Sequence, residues 1–93
     1  MTTAEFGGKV IAESDSTVVV EGNHYFPAES VKWDYFNKTE QTTLCPWKGS
    51  ASYYSLSVDG EVADNAAWQY EQPLPDATNI KDHVAFYPAV KVS

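Results

Sequence analysis

Two short turn motifs constrain the fold of this 93-residue chain more than any other part of its sequence. Gly7-Gly8 and Asp59-Gly60 each lie between segments rich in strand-forming residues. Tight hairpin turns need a positive φ at their central residues, which glycine adopts freely and aspartate tolerates. We therefore expect two antiparallel β-hairpins. Their strands are predicted at residues 4–6 and 9–12, and at residues 50–58 and 62–70.

The second hairpin also predicts which side chains face the core. Apolar and polar residues alternate from Tyr54 to Val58, so Tyr54, Leu56 and Val58 are expected to point to one side of the sheet. Trp68 and Tyr70 stand two residues apart on the other strand and therefore share a face. Aromatic residues make up 14% of the chain, and their large contact areas offset the small volume of such a core. An aromatic core is therefore expected.

Other segments predict further strands and short helical turns. A β-branched run predicts a strand at residues 17–20 that Gly22-Asn23 ends, and alternation predicts another at 31–36. Asp76 is the expected N-cap of a brief helix. The remaining predicted elements are a helical turn at 27–30, a polar loop at 37–41, a strand at 42–45 that Pro46 ends, a helix at 77–81, and strands at 83–87 and 90–92. The pattern predicts a mainly β single domain over residues 1–93 with one or two short helical turns.

Charge and composition exclude several classes of partner. The net charge is −7 and the chain has no arginine, whereas nucleic-acid binding needs a basic face. The same charge argues against anionic membranes, and no apolar run approaches the roughly 20 residues that span a bilayer. We expect neither a nucleic-acid nor a membrane partner. The N-terminus shows no secretory signal pattern and one cysteine cannot close an internal disulfide, so a cytoplasmic location is predicted.

The segment Cys45-Pro46-Trp47-Lys48-Gly49 is the densest group of candidate site residues. Cys45 is a candidate nucleophile if His83 or His24 accepts its proton, and buried packing is the alternative role for a free cysteine. Lys48 either supplies a charge near this thiol or is a solvated loop residue. The only candidate zinc ligands, Cys45, His24 and His83, stand at scattered positions and do not form the three- or four-ligand set that zinc requires. No metal or other cofactor is predicted.

Aromatic residues suggest a binding site. Trp47 either fills the core or lines a pocket, and Trp68 with Tyr70 forms either core or a flat wall that stacks on a ring or holds a cation. His83 either faces the cleft or caps the preceding helix. The main hypothesis is a small molecule bound in an aromatic-lined cleft, and the alternative is an acidic protein-interaction module. The candidate ligand-binding residues are Trp47, Lys48, Trp68, Tyr70 and Tyr54; because no acid–base pair can be named from spacing, catalysis is left open, with Cys45 and His83 as its candidates.

Five segments, in order along the chain, resemble the family called domain of unknown function 427. They are Tyr25-Phe26-Pro27, Cys45-Pro46-Trp47-Lys48-Gly49, Ser52-Tyr53-Tyr54, Ala66-Ala67-Trp68-Gln69-Tyr70 and His83-Val84-Ala85-Phe86-Tyr87. The resemblance covers residues 6–87 and implies bent antiparallel sheets around a central cleft, similar to the Mss4-like or β-tent group. Several proteins of that shape hold zinc on paired Cys-x-x-Cys motifs, whereas Cys45 stands alone. Some family members carry a nucleotidyltransferase-like label, but this chain has no phosphate-binding glycine loop to support that chemistry.

Overall fold

Nine β-strands and three short 3₁₀ turns make up the computed structural model, which describes residues 1–93. The strands are β1 (Thr2–Phe6), β2 (Lys9–Ser14), β3 (Val18–Val20), β4 (Asn23–Tyr25), β5 (Phe36–Cys45), β6 (Gly49–Val58), β7 (Glu61–Gln69), β8 (Val84–Phe86) and β9 (Lys91–Val92). The 3₁₀ turns are Ala28–Ser30, Trp33–Tyr35 and Pro75–Ile80. The predicted mainly β fold with short helical turns is confirmed.

Three hairpins have two-residue turns. Gly7-Gly8 joins β1 to β2 and Asp59-Gly60 joins β6 to β7, so both predicted hairpins are confirmed. The third turn, Glu21-Gly22, joins β3 to β4. All six turn residues have positive φ, as expected for the turn type whose twist matches that of the strands.

The strands form three antiparallel sheets. Their strand orders are β2-β1-β9, β3-β4 and β5-β6-β7-β8. Phe26, which follows β4, and Val84 of β8 exchange two backbone hydrogen bonds of 2.8 Å, so the small hairpin lies beside the edge of the four-stranded sheet. This pairing leaves β5 as the free edge of that sheet.

The four-stranded sheet is covered on both faces. On one face, Tyr54, Leu56 and Val58 pack with Phe36 and with Ile11 of β2 in the first core cluster, which confirms that these three side chains point the same way. On the opposite face, Trp68 and Tyr70 pack in a second core cluster with Tyr25, Tyr53, Ala51, Ala77, Ile80 and Ala85. The expected aromatic core is therefore present, and it is divided between the two faces of one sheet.

The polar segment 37–41 belongs to β5, so the predicted loop is wrong. Cross-strand pairing with β6 decides the conformation here, although the register shifts between Lys38 and Thr42. Inside this irregularity, the Thr39 hydroxyl donates a hydrogen bond of 2.6 Å to the amide oxygen of Asn65 on β7. The polar composition of this segment suggested a loop. A strand at the edge of a sheet can also be polar, because part of it faces water, and composition alone does not distinguish the two cases.

The strand predicted at residues 31–36 is also wrong, because Trp33–Tyr35 forms a 3₁₀ turn. This turn folds the Trp33 indole back so that its Nε1 donates to the Ala28 carbonyl oxygen at 3.0 Å. The same ring contacts Phe36 and Tyr54, with 5.3 Å between ring centroids in each case. Tertiary aromatic packing therefore outweighs the local alternation.

The predicted N-cap role of Asp76 is wrong as well. The last 3₁₀ turn spans Pro75–Ile80, its N-cap is Leu74, and no side chain caps it. Proline suits the first position of a helical turn because its φ is fixed and its missing N–H has no partner there anyway. Pro75 thus starts the turn before Asp76 can cap it.

None of the helical segments is long and apolar enough to cross a membrane. The similarity to the Mss4-like or β-tent group stays a prediction.

Candidate functional site

The turn between β5 and β6 consists of Pro46, Trp47 and Lys48, and the last two are candidate ligand-binding residues. It is tied to the proline-rich segment that follows β7, because the backbone N–H of Leu74 donates to the Lys48 carbonyl oxygen at 2.9 Å. Gly49 allows this contact: its φ is +105°, and a Cβ there would lie 3.4 Å from the Leu74 nitrogen. The two segments border an open cleft of about 360 Å³ lined by Pro46, Trp47, Leu74, Pro75 and Asp76.

Lys48 is buried beside this cleft, with 7% of its surface exposed. Its ammonium group bonds to the carboxylate of Glu21 and lies 5.5 Å from the ring centroids of both Trp47 and Tyr70. Burial is the largest single effect on the pKa of Lys48 and lowers it. The hydrogen bond with Glu21, together with the electrostatic effects of Tyr25, Tyr70 and Glu21, outweighs burial, so the pKa of Lys48 is raised. The same hydrogen bond lowers the pKa of Glu21. Both groups therefore stay charged at neutral pH.

Trp68 and Tyr70 lie in the second core cluster, where the ring of Tyr70 faces the Lys48 ammonium group. The Trp68 Nε1 donates to the Tyr25 hydroxyl at 3.1 Å, and its ring lies 4.7 Å from that of Tyr87. Burial raises the pKa of Tyr70, so its phenol stays neutral. Neither Trp68 nor Tyr70 lines the cleft beside Trp47.

Tyr54 lies on the other face of the sheet. Its hydroxyl donates to the amide oxygen of Gln69 at 2.8 Å, and the Gln69 Nε2 donates to the Asp82 carbonyl oxygen at 2.9 Å. Burial raises the pKa of Tyr54. Because Tyr54 packs in the first core cluster with Phe36 and Leu56, the thickness of the sheet separates it from Trp68 and Tyr70.

Cys45 is a free, half-buried thiol that packs against the second core cluster. No hydrogen bond joins it to either histidine: the Nδ1 of His83 pairs with the Lys81 carbonyl oxygen at 2.8 Å, and that of His24 with the Thr17 hydroxyl at 3.0 Å. The proton acceptor that a nucleophilic thiol needs is thus not in place. The catalytic roles of Cys45 and His83 stay predictions.

The structure brings together Trp47, Lys48 and Tyr70, with Trp68 packed in the same cluster as Tyr70. Tyr54 is placed apart from them, and whether any of the five binds a ligand stays a prediction. Sequence analysis missed Glu21, the partner of Lys48. Its signal was the turn itself, because glutamate is unusual where asparagine, aspartate or glycine is preferred.

Two further clefts are present, and the first of them shares Leu74 with the cleft beside Trp47. One of about 480 Å³ is lined by Leu44, Gly49, Ser50, Ser52, Glu71, Gln72 and Leu74. The other, of about 460 Å³, is lined by Gly22, Asn23, His24, Phe86, Tyr87, Pro88, Val90, Lys91 and Val92. No three His, Cys, Asp or Glu side chains are grouped so that they could hold a metal ion.

Fold and site together define a small antiparallel β domain with an aromatic cluster beneath a surface cleft. The chain belongs to the family described as Domain of unknown function (DUF427), whose model matches residues 1–93, the whole chain. The resemblance inferred from the five sequence segments is thereby confirmed. No curated protein sequence matches this chain.

Proposed function

We propose that this domain binds a small molecule in the cleft beside Pro46 and Trp47. One observation carries the proposal: 40% of the Trp47 surface is exposed although the ring borders a concave space of about 360 Å³. Ligand sites are usually concave and mostly apolar with a few polar groups, and this cleft has that composition. Leu74 and Pro75 form its apolar wall, and Asp76 is the charged group at its edge.

The charges around the cleft favour a neutral or cationic ligand with a flat or apolar part. Asp76 is the one charged side chain that lines the cleft, and the nearby ammonium group of Lys48 is neutralised by Glu21. The net charge of −7 raises the local concentration of cations further. An indole face is the aromatic surface that attracts a cation most strongly.

Lys48 acts in this proposal as a positioning residue and does not contact the ligand. Its ammonium group, held between the rings of Trp47 and Tyr70, fixes the orientation of the Trp47 indole. Tyr70 and Trp68 support the site from the core, where they are almost fully buried. The five candidate residues thus contribute unequally, with Trp47 as the contact residue.

Titration with benzylamine, followed by tryptophan fluorescence and by NMR amide shifts, tests this function. We expect fluorescence quenching, and shifts in the amides of Trp47, Lys48, Leu74 and Asp76, and we expect both responses to be lost in Trp47→Phe. Trp33→Phe is the matched control, because Trp33 has a similar exposure of 37% and lines no cleft. Equal quenching in both variants, or no shift at residues 74–76, would refute binding at this cleft.

A second candidate function is an acidic protein-interaction module, and the free edge of β5 favours it. Leu44 on that strand has 76% of its surface exposed and shares a cleft with Leu74, which also lines the Trp47 cleft. An extended basic peptide could add a strand at this edge, since β5 pairs only with β6. A peptide of alternating lysine and leucine should then shift the β5 amides, and Leu44→Ser should weaken that response while the benzylamine response is unchanged.

We also propose a cytoplasmic location. The supporting observation is that Cys45 is the single cysteine and is free, which suits a reducing compartment. Fractionation of the source cells with an antibody to the chain tests this directly, and recovery outside the cytoplasm would contradict it.

A further inference from the structure

The cleft of about 460 Å³ lies between the β3–β4 hairpin and the C-terminal segment of residues 86–92. It shares no lining residue with the cleft beside Trp47. The two clefts are therefore separate places on the surface. The Glu21-Gly22 turn links them, because Glu21 binds Lys48 near the first cleft and Gly22 lines the second.

Three polar side chains with spare hydrogen-bonding capacity line this second cleft. The Nδ1 of His24 is bonded to the Thr17 hydroxyl, which leaves Nε2 without a partner in the protein. When Thr17 donates to Nδ1, the proton of the neutral ring lies on Nε2, so this atom is a donor. Lys91 forms no ion pair, and the side-chain amide of Asn23 forms no hydrogen bond within the protein.

No carboxylate lines this cleft, although the chain has thirteen acidic residues and only six lysines. The other two clefts each contain an acid, Glu71 in one and Asp76 in the other. Glu21, the acidic residue next to the cleft-lining Gly22 in the sequence, forms an ion pair with Lys48. Glu5 pairs with Lys91 across the β1–β9 ladder but forms no ion pair with it. The charge that faces the cleft is therefore positive.

An apolar surface accompanies these donors. Phe86 and Val90 are buried at the cleft, while Tyr87 keeps 43% of its surface exposed. The Tyr87 ring is held in place by the Trp68 ring at 4.7 Å and by the stacked Tyr53 ring at 6.4 Å. A rigid aromatic face beside one cationic donor, Lys91, and two neutral donors suits a ligand with one apolar ring and one anionic group.

We propose that this cleft binds a small organic anion, a carboxylate or a phosphate monoester that carries an apolar ring. Lys91 and His24 hold the anionic group, Asn23 adds a neutral hydrogen bond, and Phe86 with Tyr87 contacts the ring. The charge preference is opposite to that proposed for the cleft beside Trp47. One set of probes with a common ring and different charges therefore tests both sites separately.

The experiment is an NMR titration of the labelled protein with benzoate, phenyl phosphate, benzylamine and benzyl alcohol. We expect benzoate or phenyl phosphate to shift the amides of residues 22–24 and of residues 86–92 other than Pro88, and benzylamine and benzyl alcohol to leave them unchanged. The stronger of the two anions identifies the anionic group that the cleft prefers. Inorganic phosphate, which lacks the ring, should bind more weakly than phenyl phosphate.

Lys91→Gln should weaken binding of the preferred anion about tenfold, as expected for loss of a charge-assisted hydrogen bond. Lys81→Gln is the matched control, since Lys81 is also an exposed lysine without an ion pair and lines no cleft. Both positions are exposed, so both variants should retain the wild-type amide spectrum. His24→Gln, which keeps a donor but no ring, should also weaken binding.

Two results would overturn the proposal. One is the absence of any amide shift in residues 22–24 and 86–92 with either anion at concentrations up to about 10 mM. A ligand with a Kd of about 1 mM would nearly saturate the cleft at that concentration. The other is an equal loss of affinity in Lys91→Gln and Lys81→Gln, which would show attraction by overall charge alone. Neither result would affect benzylamine binding at Trp47, so the two proposals fail independently.

Discussion

The ammonium group of Lys48 is bonded to the carboxylate of Glu21, and this contact joins the β5–β6 turn to the β3–β4 turn. Glu21 reaches Lys48 from a left-handed backbone conformation with φ of 53°. Such a conformation is unfavourable for glutamate, so the hairpin turn and the ion pair must together stabilise it. The contact holds the turn that carries Trp47 in a fixed position.

The two partners of this ion pair should differ in their effect on stability. Glu21→Gln removes the charge that neutralises a buried ammonium group, so we expect a clear loss of unfolding free energy. Lys48→Met leaves the Glu21 carboxylate in water and should stay within about 1 kcal/mol of the wild type. Urea unfolding of both variants measures the difference. Glu13→Gln, an exposed acid without an ion pair, is the control, and equal effects of the three substitutions would contradict this role of Glu21.

Gly7→Ala should destabilise the protein more than Gly8→Ala. Both glycines have positive φ, so each alanine costs about 1–2 kcal/mol from the backbone alone. A Cβ at Gly7 would also lie 3.0 Å from the Val58 Cβ, whereas a Cβ at Gly8 meets nothing within 4 Å. Overpacking adds about 1–3 kcal/mol for Gly7→Ala. Equal midpoints in urea would show that the β1–β2 turn does not pack against Val58.

Leu56→Ala should cost about 2–5 kcal/mol, because Leu56 is fully buried in the first core cluster and its removal leaves a cavity. Val62→Ala on the neighbouring strand is the control, since Val62 is 64% exposed and its truncation should cost less than about 1 kcal/mol. Thermal unfolding of both variants distinguishes them. Similar values would place Leu56 outside the core.

Tyr54→Phe should cost about 1–3 kcal/mol because it leaves the buried amide oxygen of Gln69 without its donor. The ring and its contacts with Phe36 and Trp33 are retained, so the loss reports the hydrogen bond. Tyr35→Phe, at a half-buried tyrosine outside this hydrogen bond, should be nearly neutral. Equilibrium unfolding in urea provides the measurement, and a neutral Tyr54→Phe would contradict the pairing.

Stability should fall between pH 10 and 12. A hydrogen bond with Tyr53 and burial raise the pKa of Tyr87 to about 12 from its ordinary 10.0. Between these values the unfolded tyrosine has lost its proton while the folded one keeps it, so the stabilisation is complete below pH 10 and disappears as the pH approaches 12. Because Tyr87 is partly exposed, solvent screening limits the effect to about 1 kcal/mol.

Urea unfolding at several alkaline pH values, with tyrosinate absorbance to follow ionisation, measures this loss. Tyr87→Phe should show a smaller decrease across the same range, since Tyr54 and Tyr70, whose pKa values are also raised, still contribute in the same direction. A decrease of the same size in the variant would mean that Tyr87 does not contribute.

Local sequence rules predicted the elements whose conformation is set by neighbouring residues. Gly7-Gly8 and Asp59-Gly60 were predicted as hairpin turns because positive φ is a property of the turn residues themselves. The alternation from Tyr54 to Val58 gave the core face of β6, since side chains in a strand alternate by geometry. The same rules failed at Trp33 and at residues 37–41, where partners far along the chain decide the conformation.

The amino-acid sequence alone determined that this is a mainly β member of its family, and it identified residues 45–49 as the densest group of candidate site residues. Tertiary structure decided the rest. It placed Glu21 on Lys48, 27 residues apart, and gathered His24 and Lys91 around one cleft. Such meetings depend on how separate hairpins pack against one sheet, and no local pattern of spacing records that packing.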